Sequence, residues 1–215
     1  IDRERILAAV RAGLGGRRVD AAAVATEAAA VLAAPDDIRP RLAAATLVEA
    51  FSIKAEALGT TLDHVADLDE VPGAVARYLT AHDLPSTVAM QPTDALAALD
   101  WAGVGTHAGI APDEAAAVGI ALWGIAEAGS IVIHSGADNP ILLAFLPLHH
   151  IVVLRADRIL AYLEDYAAVI AGGDGPPRNA IMITGPSGTT DIEGSYVRGA
   201  HGPGFVHVIL VGAAA

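Results

Sequence analysis

Residues 151–154 are Ile151, Val152, Val153 and Leu154, an apolar run that is rich in β-branched side chains. Such a run is typical of a strand buried on both faces, as parallel strands are when helices cover the sheet. Asp157 follows closely and predicts the N-cap of a helix over 158–170. This step from a buried strand to a helix is the pattern that decides the fold class.

The same alternation continues on both sides of this run. Further strands are predicted over 61–66, 86–90, 118–122, 130–134, 180–184 and 206–211, and further helices over 71–81 and 94–101. Alternating elements predict an α/β fold with a mixed, mostly parallel sheet flanked by helices. The chain before residue 60 is helical instead, with predicted N-caps at Asp2 and Asp20 and a longer helix over 38–58 that Gly59 ends. We therefore expect a helical segment over 1–59, packed on the core, and an α/β domain over 60–215.

The composition excludes several classes of function. A net charge of −12 repels phosphate backbones, so nucleic acid is not expected as a partner. The chain has no cysteine, so it cannot hold an iron–sulfur cluster through thiolates or use a thiol nucleophile. No apolar stretch approaches the roughly 20 residues of a membrane span, so no membrane insertion is expected. These features are typical of a cytoplasmic protein.

The first candidate loop runs from Thr184 to Gly194, directly after a predicted strand. Its glycines permit backbone angles at which successive N–H groups point one way and bind an anion. The predicted ligand-binding residues in this loop are Gly185, Ser187, Gly188, Thr189 and Thr190. Asp191 is a candidate for proton transfer. The alternative is a tight turn in which Asp191 caps a helix.

Two further loops carry candidate residues. His201 lies among glycines before the last strand, where it could approach a ligand closely and titrate near neutrality, and Gly202 is a predicted ligand contact beside it. The alternative is a flexible turn in which His201 is exposed and has no role. Glu127 lies in an apolar segment, where a carboxylate is expected to have a role such as base or nucleophile, although it could also be an ordinary surface residue. Gly129 and Ser130 follow it as predicted ligand contacts. Since ligands bind beyond the carboxyl ends of strands in open α/β sheets, we expect all three loops there. His149 and His150 are adjacent on a strand and face opposite sides, so no metal site is predicted.

Four segments in order resemble the LUD-domain family of lactate utilization proteins. They are Gly124-Ile125-Ala126-Glu127-Ala128-Gly129-Ser130-Ile131-Val132-Ile133, Leu146-Pro147-Leu148-His149-His150-Ile151-Val152-Val153, Thr184-Gly185-Pro186-Ser187-Gly188-Thr189-Thr190-Asp191-Ile192-Glu193 and Gly199-Ala200-His201-Gly202-Pro203. The similarity covers roughly residues 45–211. The family usually has threonine at the positions of Ala128 and Ser130, and often arginine at that of Gly188.

The resemblance implies a fold like that of the ribose-5-phosphate isomerase and CoA-transferase group. It also implies a non-redox role in oxidising lactate to pyruvate, beside partner proteins that carry iron–sulfur clusters, with a small anionic metabolite as ligand. The family's chemistry assigns no catalytic role. Two alternatives stay open: a stand-alone enzyme that uses Glu127, in the manner of CoA transferases, and a non-catalytic binding or scaffold protein whose helical N-terminal segment docks a partner.

Overall fold

The computed structural model describes residues 3–14, 20–173, 175, 177–190 and 194–212. The chain divides into two compact units, Ile1–Pro40 and Arg41–Ala215. The first unit contains α1 (Arg3–Gly13) and α2 (Ala21–Ala33). Asp20 caps α2 as predicted, since its carboxylate accepts a hydrogen bond from the N–H of Ala22. The predicted cap Asp2 lies outside the described residues, and the predicted domain boundary at residue 59 stays a prediction.

The second unit alternates helices with strands. Its helices are α3 (Leu47–Ala57), α4 (Val71–Ala81), α5 (Asp94–Ala97) and α6 (Leu163–Ala171). Its strands are, in chain order, β1 (Thr61–Val65), β2 (Thr87–Met90), β3 (Gly105–His107), β4 (Ala116–Ile120), β5 (Trp123–Ile125), β6 (Ser130–His134), β7 (His149–Arg155), β8 (Ile159–Leu160), β9 (Ala180–Ile183), β10 (Gly188–Thr190), β11 (Tyr196–Arg198) and β12 (Phe205–Val211).

The predicted mixed, mostly parallel sheet is present as a six-stranded parallel sheet with a smaller sheet beside it. The large sheet has the order β1-β12-β7-β4-β2-β3, and every pair in it is parallel. A four-stranded sheet has the order β8-β5-β6-β9 and is mostly antiparallel. Strands β10 and β11 form a separate antiparallel pair. The fold is therefore α/β, as the sequence predicts.

Both faces of the large sheet are covered, which is why its central strands are mostly apolar. One face packs Val153 and Ile209 against α4 residues such as Val75 and Leu79. The opposite face packs residues including Leu154 and Leu210 against α3 and the smaller sheet. Burial on both sides accounts for the continuous apolar run from which the fold was predicted.

Five sequence expectations are wrong in detail. The helix predicted over 94–101 ends at Ala97, and the strand predicted over 118–122 lies at Ala116–Ile120. The helix predicted from residue 158 begins at Leu163, because residues 159–160 pair with β5 as a short strand. Asp157 forms a salt bridge with Arg155 instead of capping a helix. The helix predicted over 38–58 begins only at Leu47, after the N-cap Thr46. Strand β3 was not expected at all, because its three residues carry no apolar pattern.

None of the helices in the described part of the chain has the length and apolar character that a bilayer span requires.

Candidate functional site

Two of the predicted glycine-rich loops lie against each other. The N–H of Ser187 donates to the carbonyl of Pro203 at 2.8 Å, and the N–H of Gly199 donates to the carbonyl of Ser187 at 2.9 Å. The N–H of His201 also approaches the hydroxyl of Ser187, at 3.4 Å. These contacts tie the loop after β9 to the loop before β12. We call the small cavity between them the glycine-loop cavity.

The glycine-loop cavity has a volume of about 200 Å³. Its polar lining comes from Thr184, Ser187 and His201, together with the backbone of Gly185 and Gly202. Its apolar lining is formed by Ala144, Phe145, Ile181, Met182, Ile183, Pro203 and Val206. Among the described residues of this lining, His201 is the one ionisable side chain, and it is exposed. The cavity thus has hydroxyl and imidazole groups on one side and an apolar surface on the other, which suits a small ligand with one anionic end and one apolar end.

The cavity lies at the amino edge of the large sheet, and this corrects the expected location. The loop of residues 199–204 precedes β12, and the loop after β9 leans on Gly59, just before β1. The rule about carboxyl ends applies where ligands meet strand-to-helix loops of one open sheet. Here the chain leaves the smaller sheet and enters the large sheet at the start of β12, so its glycine-rich connections gather at the opposite edge.

Part of the first loop is a strand rather than an anion-binding turn. Gly188, Thr189 and Thr190 form β10 and pair with β11. Because side chains and backbone groups alternate along a strand, these N–H groups cannot all point toward one ligand, and the predicted nest is wrong here. Gly188 lies under the phenol of Tyr196, which occupies the space that a longer side chain would need. Asp191 lies outside the described residues, so its predicted catalytic role stays a prediction.

The third predicted loop is the tight turn between β5 and β6, and it contacts the cavity-lining residue Thr184 through Ser130. Oε1 of Glu127 accepts a hydrogen bond of 2.7 Å from the N–H of Leu163, the first residue of α6. Glu127 therefore caps a helix, and it is not among the residues that line the glycine-loop cavity. Ser130 is buried, and its hydroxyl lies 2.7 Å from that of Thr184. Ser130 thus reaches the cavity only through Thr184.

Close contact with α3 fixes both of these loops. Gly129 has a φ of +64° and packs directly on the backbone of Ala55. Gly185 has a φ of +80°, and a Cβ there would lie 2.6 Å from the carbonyl oxygen of Leu58. Only glycine combines this conformation with so close an approach. Both glycines therefore have a packing role that the sequence alone did not distinguish from ligand contact.

A buried cluster of aromatic and histidine side chains lies on the α4 face of the large sheet, near the starts of β7 and β12, and was missed in the sequence. The ring of Phe205 stacks on that of His149 with centroids 4.3 Å apart, and the guanidinium of Arg198 lies 4.9 Å from the Phe205 centroid. Tyr78 is hydrogen bonded to Nδ1 of His149 at 2.9 Å and stacks on His207 at 4.3 Å. The available signal was a histidine inside each of two apolar strands, β7 and β12, where a polar side chain needs a partner.

Burial sets the protonation of this cluster. It raises the pKa of Tyr78 to about 12 and lowers that of His207 to about 4. Burial, with a smaller effect of the nearby His82, also lowers the pKa of His149. On the opposite face of the sheet, complete burial lowers the pKa of His150 to about 4. All three strand histidines are therefore neutral at pH 7, and none of them offers a positive charge to a ligand.

Two of the larger cavities in the described structure are less suited to an anion. One of about 690 Å³ lies between α6 and β9 and has an apolar lining that includes Tyr166, Ile170 and Met182. Another, of about 350 Å³, lies at the carboxyl edge beside Asp67 and Arg155. The guanidinium of Arg155 is already paired with the carboxylate of Asp157 at 2.9 Å. Within the described ranges, no group of three histidine or acidic side chains is arranged to hold a metal ion.

The fold and the site together define a class: an α/β protein whose glycine-rich loops enclose a small cavity at one edge of a parallel sheet. Residues 113–211 match the family model of the LUD domain. The chain is 29% identical over 177 residues to lactate utilization protein C of Deinococcus radiodurans, a match that covers 74% of this chain and 81% of that protein. It is also 30% identical over 126 residues to lactate utilization protein C of Bacillus licheniformis, covering 56% of this chain and 52% of that relative.

A solved structure agrees with these matches at the level of the fold. It is the crystal structure of a DUF162 family protein from Deinococcus radiodurans, with a TM-score of 0.54 and 23% sequence identity. The alignment covers 77% of this chain and 96% of that one. Residues 113–211 are therefore similar to the LUD domain, and the resemblance stated from the sequence motifs is confirmed by this match.

Proposed function

We propose that this chain is a non-redox component of a cytoplasmic lactate-utilization system and binds a small anionic metabolite in the glycine-loop cavity. Relatives named lactate utilization protein C favour the system. The observation that carries the site is the contact between the two motif loops, which brings Ser187 and His201 into one cavity.

The size and lining of the cavity favour a metabolite of a few heavy atoms. Its volume of about 200 Å³ is below the roughly 300–1,000 Å³ of pockets for drug-sized ligands. Ser187 and His201 can donate hydrogen bonds to a carboxylate, and bonds to a charged acceptor are the stronger kind. The wall formed by Phe145 and Val206 suits a methyl group. A short carboxylate such as lactate or pyruvate meets these requirements.

In this proposal the electrons of lactate oxidation leave through another protein. With no cysteine, the chain has no thiolate to hold a cluster. The proposal therefore assigns the iron–sulfur clusters to partner proteins, which this chain would join in a complex. Glu127 has no catalytic part in this proposal, because its carboxylate caps α6.

The test begins with a deletion strain grown on lactate as its carbon source. We expect growth and lactate-dependent dye reduction in extracts to be lost, and to return with the wild-type chain. Tagged protein purified gently without oxygen should bring down iron-containing partners. Ser187→Ala and His201→Gln should restore both activities poorly, whereas Ser86→Ala and His64→Gln, at exposed positions outside the cavity, should restore them fully. Unchanged growth on lactate after deletion would overturn the proposal.

A further inference from the structure

The hydroxyl pair of Ser130 and Thr184 links the buried interior to the glycine-loop cavity. Strands β6 and β9 are antiparallel neighbours, and their register pairs Ile131 with Ile183. The residues just beyond this pair, Ser130 and Thr184, therefore lie side by side, with their oxygens 2.7 Å apart. Only 4% of Ser130 is exposed, and it does not line the cavity, whereas Thr184 does.

Burial decides which of the two hydroxyls donates. A buried hydroxyl that makes no donor bond is costly, and Thr184 is the one partner that the Ser130 hydroxyl has in the described part of the chain. Ser130 therefore donates and Thr184 accepts. A hydroxyl has one proton and two lone pairs, so the proton of Thr184 stays free for a group in the cavity. Ser130 thus holds Thr184 in place and leaves it as a donor.

We propose that Thr184, positioned by Ser130, makes the cavity selective for short carboxylates that carry an oxygen on the carbon next to the carboxyl group. This inference rests on the proposed binding site. Ser187 and His201 bind the carboxylate, and Thr184 donates to the neighbouring hydroxyl or keto oxygen. The ligand class is therefore short 2-hydroxy and 2-oxo acids, and a carboxylate of equal length without that oxygen binds more weakly.

Calorimetric titration of the purified full chain with lactate, pyruvate and propionate tests the assignment. The wild type is expected to bind lactate or pyruvate about tenfold more tightly than propionate, the effect of one hydrogen bond. Thr184→Val keeps the shape but removes the donor, so the three acids should then bind about equally, with propionate affinity unchanged. Ser130→Ala should reduce the selectivity in the same direction, and Ser130→Thr, which keeps the hydroxyl, should restore it.

The ratio of affinities separates this role from a purely structural one. If Thr184 and Ser130 only maintained the fold, their substitution would weaken all three acids together and leave the ratio unchanged, which would overturn the inference. Equal binding of the three acids by the wild type would also overturn it, but would leave the carboxylate site intact. If none of the acids binds the wild type, both the inference and the proposed site fail, whatever the deletion strain shows about lactate growth.

Discussion

Mild acid is expected to destabilise the fold through His150 and His207. Burial lowers the pKa of each to about 4, whereas an unfolded chain has a histidine pKa of about 6.5. The unfolded state therefore binds protons first as the pH falls. The contribution of each histidine is complete above about pH 6.5 and is lost progressively toward pH 4.

The size of the effect follows from these two pKa values. Between about pH 7 and pH 5, each buried histidine lowers the free energy of unfolding by about 2 kcal/mol. The two together remove about 4 kcal/mol, which is a large part of the roughly 5–15 kcal/mol that stabilises a typical domain. Both side chains also have a buried ring nitrogen without a hydrogen-bond partner among the described residues: Nδ1 of His150 and Nε2 of His207. Neither has an acidic partner in hydrogen-bonding contact there that could hold the charged form.

Urea unfolding at both pH values measures this loss. In His150→Asn, which cannot titrate, the difference in unfolding free energy between the two pH values should shrink by about 2 kcal/mol, although the variant is less stable at pH 7. His64→Asn, at an exposed position, should leave the difference as in the wild type. An identical pH dependence in His150→Asn and the wild type would refute the assignment of the acid sensitivity to this histidine.

Three further changes test the structure around the site. Gly185→Ala and Gly103→Ala both place alanine at positive φ, which costs about 1–2 kcal/mol. Only at Gly185 would the new Cβ also meet a carbonyl oxygen, so urea unfolding should show about 1–3 kcal/mol more destabilisation for Gly185→Ala than for Gly103→Ala. Equal losses of stability in the two variants would contradict the close packing of Gly185 on α3. Glu127→Ala should destabilise the fold by about 1 kcal/mol, because the cap of α6 is lost. Glu127→Gln keeps a hydrogen-bond acceptor and should retain lactate-dependent dye reduction. Loss of that activity in a folded Glu127→Gln variant would favour the alternative of a stand-alone enzyme that uses Glu127. Thr46→Ala removes the hydroxyl that caps α3 and should lower the free energy of unfolding by about 1 kcal/mol, measured by thermal or urea unfolding. An unchanged stability would show that tertiary contacts alone set the start of the helix.

The sequence predicted several strands well where apolar side chains were bounded by turn residues. Strands β6, β9 and β12 begin and end within one residue of their predicted positions, because their side chains are apolar and bounded by turn residues. Helix α3 ends where Gly59 predicts, with a φ of +88°. Errors arose where tertiary pairing outweighed local preference. The pair Ile159–Leu160 fits a helix by itself, but its contact with Gly124 makes it a strand.

The site was predicted less completely, because its residues meet through contacts distant in sequence. The motifs selected Ser187 and His201, and the structure places them together. They could not reveal that Glu127 meets the N-terminus of α6, 36 residues later. Thr184 was part of a quoted loop but was not assigned a role, because its importance depends on a hydroxyl 54 residues away. A pattern of residue types carries no information on such distances.

Helix α3, rather than the loops themselves, holds the glycine-loop cavity in shape. Its last turn touches Gly129 in the β5–β6 turn and leads to Leu58, whose carbonyl oxygen touches Gly185. These two contacts fix the ends of β6 and β9, and thereby the hydroxyls of Ser130 and Thr184. Because α3 is capped at Thr46 and buries Phe51 in the core, its position is set by the whole packed unit. The cavity-lining hydroxyl of Thr184 is therefore held by the core, so under the proposal above a change in α3 packing should alter ligand selectivity without touching the cavity lining.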